Sequence, residues 1–169
     1  CGIFLTDIPY GIDYKPEGDA LDKAKNKDIS KKILGFYEDK PAEIMSLVEK
    51  VIQQMSRLGR PNCFVYMFCA FRHWNYLVGV FQENGFDVYN KPITWIRGSF
   101  AMGRFLSGIC RLPARWPASS SDCILFASRG NAALAKQGQP DVILCSPITT
   151  TEKVHIVQRP LPLLTELIS

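Results

Sequence analysis

The sequence predicts an α/β fold: a mostly parallel sheet with helices packed on it. Three observations carry this. Apolar, β-favouring runs at residues 3–5 and 62–69 alternate with stretches of helical period at 41–59 and 72–84, the order that parallel strands and crossover helices require. Residues 62–69 (NCFVYMFC) are apolar almost without a break, as in a central strand covered on both faces. The 169 residues, 47% hydrophobic and 21% charged, are enough for one globular unit with a real core.

The remaining bulk properties narrow the class. A net charge of +4 and a pI near 8.7 permit a nucleic-acid partner without requiring one. Six cysteines occur with no Cys-x-x-Cys spacing, several inside apolar runs, so reduced and mostly buried thiols are expected over a disulfide or zinc framework. No run reaches the roughly 18 apolar residues of a membrane span and nothing reads as a signal peptide, so a cytoplasmic protein is expected.

In chain order, the first strand ends on a carboxylate. Asp7, Ile8, Pro9 and Tyr10 follow its apolar run, and the proline and aromatic turn the chain out of the sheet. Ligands of open α/β sheets bind outside the carboxyl ends of strands, which makes Asp7 the first candidate for chemistry. Residues 11–39 are polar, with Lys23, Lys25, Lys27, Lys31 and Lys32 among Asp19, Asp22 and Asp28. Two readings stand here: a solvated loop or short helix, or a mobile loop whose lysines meet phosphates.

Residues 41–59 read as an amphipathic helix, started by Pro41, stopped by Gly59, with Ile44, Leu47, Val48, Val51, Ile52 and Met55 on one face. A second helix over about 72–84 ends at Gly85, and His73 near its start is given no role. Residues 86–97 hold two short β-like pieces around Asn90, Lys91 and Pro92, and Trp95 on the second suits a core position. From Arg97 to Ser121 there are four arginines, Arg97, Arg104, Arg111 and Arg115, and no acid. A plain basic loop is one reading of residues 98–121; phosphate contact, with Phe100, Phe105 and Trp116 stacking on an opened base, is the other. Residues 122–130 form a strand expected to run antiparallel to the Trp95 strand, 131–140 a linker, and 141–145 a short strand. A closing helix is led by Pro160, with Leu163, Leu164, Leu167 and Ile168 as its buried face.

Several of these stretches resemble the amino-group DNA methyltransferases, which methylate adenine N6 or cytosine N4 with S-adenosylmethionine. Residues 6–11 match that family's usual Thr-Asp-Pro-Pro-Tyr-Gly except at Ile8, which stands in place of the first proline. Trp95-x-Arg97 is similar to a family strand ending Trp-x-Lys, although Arg is not a neutral exchange for Lys. Residues 122–130 (DCILFASRG) resemble a strand reading acidic-x-Ile-Leu-Phe-Ala, then a basic residue and Gly. His155, Gln158, Arg159 and Pro160 fall in register with Lys-x-His-Pro-Thr-Gln-Lys-Pro, from which Ile156 and Val157 depart.

The resemblance implies a Rossmann-like methyltransferase sheet, mostly parallel with an antiparallel strand pair and helices on both faces. It implies Asp7, Ile8, Pro9 and Tyr10 as the catalytic motif, and Asp7, His155, Gln158, Arg159 and Pro160 beside S-adenosylmethionine. Tyr10, Trp95, Arg97, Arg104, Arg111 and Arg115 would meet the substrate, double-stranded DNA, with residues 98–121 as the target-recognition segment and a homodimer left open. The motif order is similar to the permuted class in which Phe-x-Gly-x-Gly follows the His155 segment, and no Gly-x-Gly occurs here. The expectation is therefore a fragment, one partial catalytic domain over residues 1–169, that by itself binds the cofactor weakly or not at all.

The implied activity is methyl transfer to adenine N6, preferred over cytosine N4 because Asp leads the motif, in a restriction-modification enzyme of bacterial or phage kind. The alternatives are a truncated or inactive methyltransferase-like module that binds DNA or a partner without chemistry, and methylation of RNA or protein.

Overall fold

The computed structural model describes residues 1–8, 41–98, 115, 117, 119–148 and 158–169. The strands are β1 (Ile3–Asp7), β2 (Cys63–Cys69), β3 (Asp87–Val88), β4 (Ile93–Arg97), β5 (Ser121–Arg129) and β6 (Val142–Cys145); the helices are α1 (Pro41–Leu58), α2 (Trp74–Glu83) and α3 (Leu161–Ile168). Among these residues the strands form a six-stranded sheet ordered β1-β2-β5-β4-β6, with β3 paired to the far stretch of β5. β1 is parallel to β2 and β4 to β6, while β5 is antiparallel to β2, β3 and β4. Five strands thus point one way and β5 alone is reversed. The sheet is mixed, with strands mostly in one direction and β5 antiparallel to β4 as the sequence predicts; β5 also makes antiparallel pairs with β2 and β3, beyond the one pair expected.

Side-chain alternation sorts each strand onto two faces. On β2, Cys63, Val65, Met67 and Cys69 join the core under α1 and α2; Tyr66 and Phe68 join the one under α3. This double coverage is why the strand has no polar positions. On β5, Leu125 and Ala127 face α1 and α2, and Ile124 faces α3.

The α1 stripe is narrower than its apolar content. Ile44, Val48, Ile52 and Met55 are buried, whereas Leu47 is 36% exposed at the stripe's edge. Each buried member contributes about 1.5–3 kcal/mol of transfer free energy, which fixes the helix on the sheet. α3 likewise buries Leu163 and Leu167, one turn apart, with Leu164 partly covered. Ile168 departs from expectation: it lies about 100° further round the helix and is 53% exposed.

Gly85 ends α2 as the sequence predicts, at φ 80°. Its N–H donates to the Gln82 carbonyl and that of Phe86 to the Phe81 carbonyl, with the Phe81 and Phe86 rings edge to face at 5.5 Å. These are the two bonds and the apolar clasp of a Schellman motif.

At the opposite end of the sheet from Asp7, Arg129 donates to the Ser56, Gly59 and Arg60 carbonyls at 2.7, 2.7 and 2.9 Å. It thereby satisfies carbonyls at the end of α1 that have no helical partner. Gly130 follows at φ 67°, where an added Cβ would lie 2.4 Å from Asn62 Oδ1 and 2.5 Å from the Pro61 carbonyl oxygen. Among the described residues no helix is long and apolar enough to cross a membrane.

Candidate functional site

The site grows out of the carboxyl end of β1. Register places Asp7 beside Phe68 of β2 and Asp122 beside Trp95 of β4, and alternation sends all four toward the α3 face. Arg159, from the segment that enters α3, lies across this row. Its guanidinium carbon is 4.7 Å from the Phe68 ring centroid and 5.5 Å from that of Trp95, within cation–π range of both.

Arg159 grips two carboxylates. Its Nε donates to Asp7 Oδ2 at 2.8 Å and Nη2 to Asp7 Oδ1 at 3.3 Å, a bidentate fork. Nη1 donates to Asp122 Oδ2 at 3.2 Å. Arg97 Nη1 reaches the same Asp122 oxygen at 3.3 Å, and its Nη2 donates to the Ser119 carbonyl at 2.5 Å. Charges therefore alternate in the order Arg97, Asp122, Arg159, Asp7, and they sum to zero. Arg159 and Asp122 side chains are 15% exposed and Asp7 33% exposed. The pairs sit between surface pairs, worth about 0–1 kcal/mol, and buried ones, whose rupture costs about 3–5 kcal/mol.

Asp7 keeps capacity for more. A carboxylate offers about four lone-pair sites, and the fork uses one on each oxygen. Asp7, Thr6, Phe68, Gln158, Arg159 and Leu164 help line a cleft of about 870 Å³ at this end of the sheet. The size suits a small organic ligand, and apolar walls with a few convergent polar groups suit one with a ring and charged ends.

Ile8 has a structural account. Its side chain is 6% exposed in the α1–α2 core, and its N–H donates to the Phe68 carbonyl at 3.4 Å, a bond a proline lacks. On that same face Cys69 and Cys123 are register partners with sulfurs 3.9 Å apart. The bond to Cys123 pushes the Cys69 thiol well up, aided by burial, while the bond from Cys69 lowers Cys123.

The sequence-predicted residues divide as follows. Asp7, Arg159, Trp95 and Arg97 come together in one cluster, Gln158 lines the cleft, and Pro160 is buried as the N-cap of α3. Trp95 is 2% exposed, with its indole N–H donated to the Cys145 carbonyl at 2.9 Å, so its ring backs Arg159 from inside the core. Arg115 is exposed on a turn. Pro9, Tyr10, residues 11–39, Phe100, Arg104, Phe105, Cys110, Arg111, Trp116 and His155 lie outside the described residues. Sequence reasoning missed Phe68 and gave Asp122 no role. The available signal was that Asp122 is the first acid after a basic stretch that has none.

The reversed strand and the helices on both faces make this a mixed α/β sheet of Rossmann-like type. Solved structures agree. The chain superposes on M1.HpyAVI in complex with SAM (TM-score 0.61, 18% identity) and on M1.HpyAVI alone (TM-score 0.59, 20% identity), each match covering 99% of this chain. It spans 64% and 62% of those chains' lengths, and the likeness is one of fold. No protein-family model and no curated protein sequence matches the chain.

Proposed function

We propose that this chain is the catalytic-motif portion of an S-adenosylmethionine-dependent DNA methyltransferase acting on the exocyclic amine of a flipped base, adenine N6 in preference to cytosine N4. The observation that carries it is Asp7: a partly exposed carboxylate at the end of a strand, facing a cleft, held by a bidentate arginine. Its support from outside the chain is the fold shared with M1.HpyAVI, whose structure is a complex with SAM.

An exocyclic amine is a weak nucleophile because its lone pair is delocalised into the ring. Asp7, through the lone pairs Arg159 leaves open, and the Ile8 carbonyl accept the amine's hydrogens. They thereby favour a pyramidal nitrogen and stabilise the positive charge that grows on it as the N–C bond forms. Arg159 fixes the plane of the carboxylate, so this acceptor is oriented before substrate arrives. Pro9 stiffens the turn and Tyr10 stacks on the base. S-adenosylmethionine, when bound, supplies an electrophilic methyl group. The residues at the cleft fit it: Asp7 suits a cation, Gln158 a polar end, and the walls beside Phe68 and Leu164 an apolar ring. Arg104, Arg111 and Arg115 contact DNA phosphates.

The test is methyl transfer from labelled S-adenosylmethionine to double-stranded DNA by the whole protein, with the modified base identified by mass spectrometry after digestion. Asp7→Ala is expected to lower kcat by about 10³-fold, with DNA affinity within threefold. Full activity in Asp7→Ala would end the catalytic assignment. DNA binding without transfer in the wild type would favour a non-catalytic module instead.

A further inference from the structure

We infer that Asp122 is a positioning residue for this site: it holds Arg159 in the orientation that presents Asp7, and it ties that orientation to the ends of the basic segment. The inference rests on the catalytic reading of Asp7 and goes beyond it, since Asp122 does not itself line the cleft and is linked to Asp7 through Arg159.

Arg159 has three hydrogen-bonding nitrogens, and all have carboxylate partners: Nε and Nη2 on Asp7, Nη1 on Asp122. Phe68 and Trp95 fix how far the guanidinium lies from the sheet but not its rotation in its own plane. Two carboxylates on opposite edges fix that rotation. Without Asp122 the fork could pivot about the ring stack, and Asp7 would turn with it.

Asp122 is in turn held by Arg97, whose other nitrogen grips the Ser119 carbonyl and whose N–H donates to the Ser120 carbonyl at 2.9 Å. Arg97 and Ser119 flank the acid-free basic stretch, so the place where its ends meet is bonded through Asp122 and Arg159 to Asp7. A purely stabilising ion pair would need no such continuity. Arg159 and Asp7 alone would already make a neutral pair, and Asp122 joins that pair to Arg97.

The experiment uses the whole protein with Asp122→Asn, which keeps size and one acceptor but loses the charge, and Asp122→Glu, which restores it on a longer stem. Two readouts are taken: kcat against KM for methyl transfer, and hydrogen exchange of the Arg159 Nε–H by nitrogen-15 NMR, its signal assigned by loss in Arg159→Lys. In Asp122→Asn we expect kcat to fall about 10–100-fold, as displaced catalytic groups do, with both KM values within threefold and Nε–H exchange at least tenfold faster. Asp122→Glu should recover part of both. If Asp122→Asn does not fold, a kcat deficit of about threefold or more in Asp122→Glu, together with faster Nε–H exchange, carries the inference. Unchanged kcat and unchanged exchange in the folded variant overturn it, as does a loss confined to KM. If wild type transfers no methyl group, the methyltransferase reading fails, and the exchange measurement alone still decides whether Asp122 positions Arg159.

Discussion

Arg129 and Arg159 lie at opposite ends of the sheet, each with its guanidinium near an aromatic ring: Arg129 over Phe86 at 5.3 Å, Arg159 over Phe68 and Trp95. They differ in what accepts their hydrogen bonds. Arg129 donates to three backbone carbonyls where α1 ends, and Arg159 donates to two carboxylates at a cleft. A helix-end carbonyl, once bonded, has no further chemistry, so Arg129 completes a structure. A carboxylate with open lone pairs can still take a hydrogen from a substrate, and on the function proposed above Arg159 prepares one. The same residue in the same kind of stack is therefore read by its acceptors rather than by its own surroundings.

The contrast can be broken experimentally. The largest effect is expected from Arg159→Ala, a fall in kcat per folded molecule of about 10²–10³-fold, or about 2.7–4 kcal/mol, beside a smaller stability loss of about 1–3 kcal/mol from the opened ion pairs. If stability fell and activity per folded molecule did not, Arg159 would belong with Arg129. Arg129→Ala should do the reverse: about 2–3 kcal/mol of stability lost, since bonds from a charged donor are worth about 1.5–3 kcal/mol each but are partly replaced by water. Methyl transfer of the folded fraction should stay within twofold. Gly130→Ala sharpens the structural side alone. It puts a side chain at positive φ and against the Pro61 carbonyl, and should cost about 1–2 kcal/mol in thermal or urea unfolding. A neutral outcome would mean that the turn after β5 can yield.

Much of this architecture was legible. Strand and helix order, the stop at Gly85 and the reversed β5 follow from period, punctuation and the family-like residues. The depth of burial was less legible, because helical period gives direction and not distance: Leu47 and Ile168 share a side with buried residues but lie at its margin. The site was legible at Asp7 and Arg159 as separate motif members, but their contact was not, since 152 residues separate them. Arg129 was visible as the basic residue before a glycine. Its partners were hidden, because backbone carbonyls leave no mark in a sequence. Trp95 was readable as core or as site, and its buried ring under Arg159 joins the two.

β5 carries Asp122 and Arg129 seven positions apart, an odd number, and so on opposite faces. That spacing is a constraint on how the gene can change length. Inserting or deleting one codon between them would invert one end relative to the other, costing either the Arg159 partner or the α1 cap. Adding two would keep the faces but slide one group about 7 Å along the sheet. Length variation in this protein should therefore collect on either side of β5 and leave the interval itself untouched, however freely the intervening apolar residues exchange.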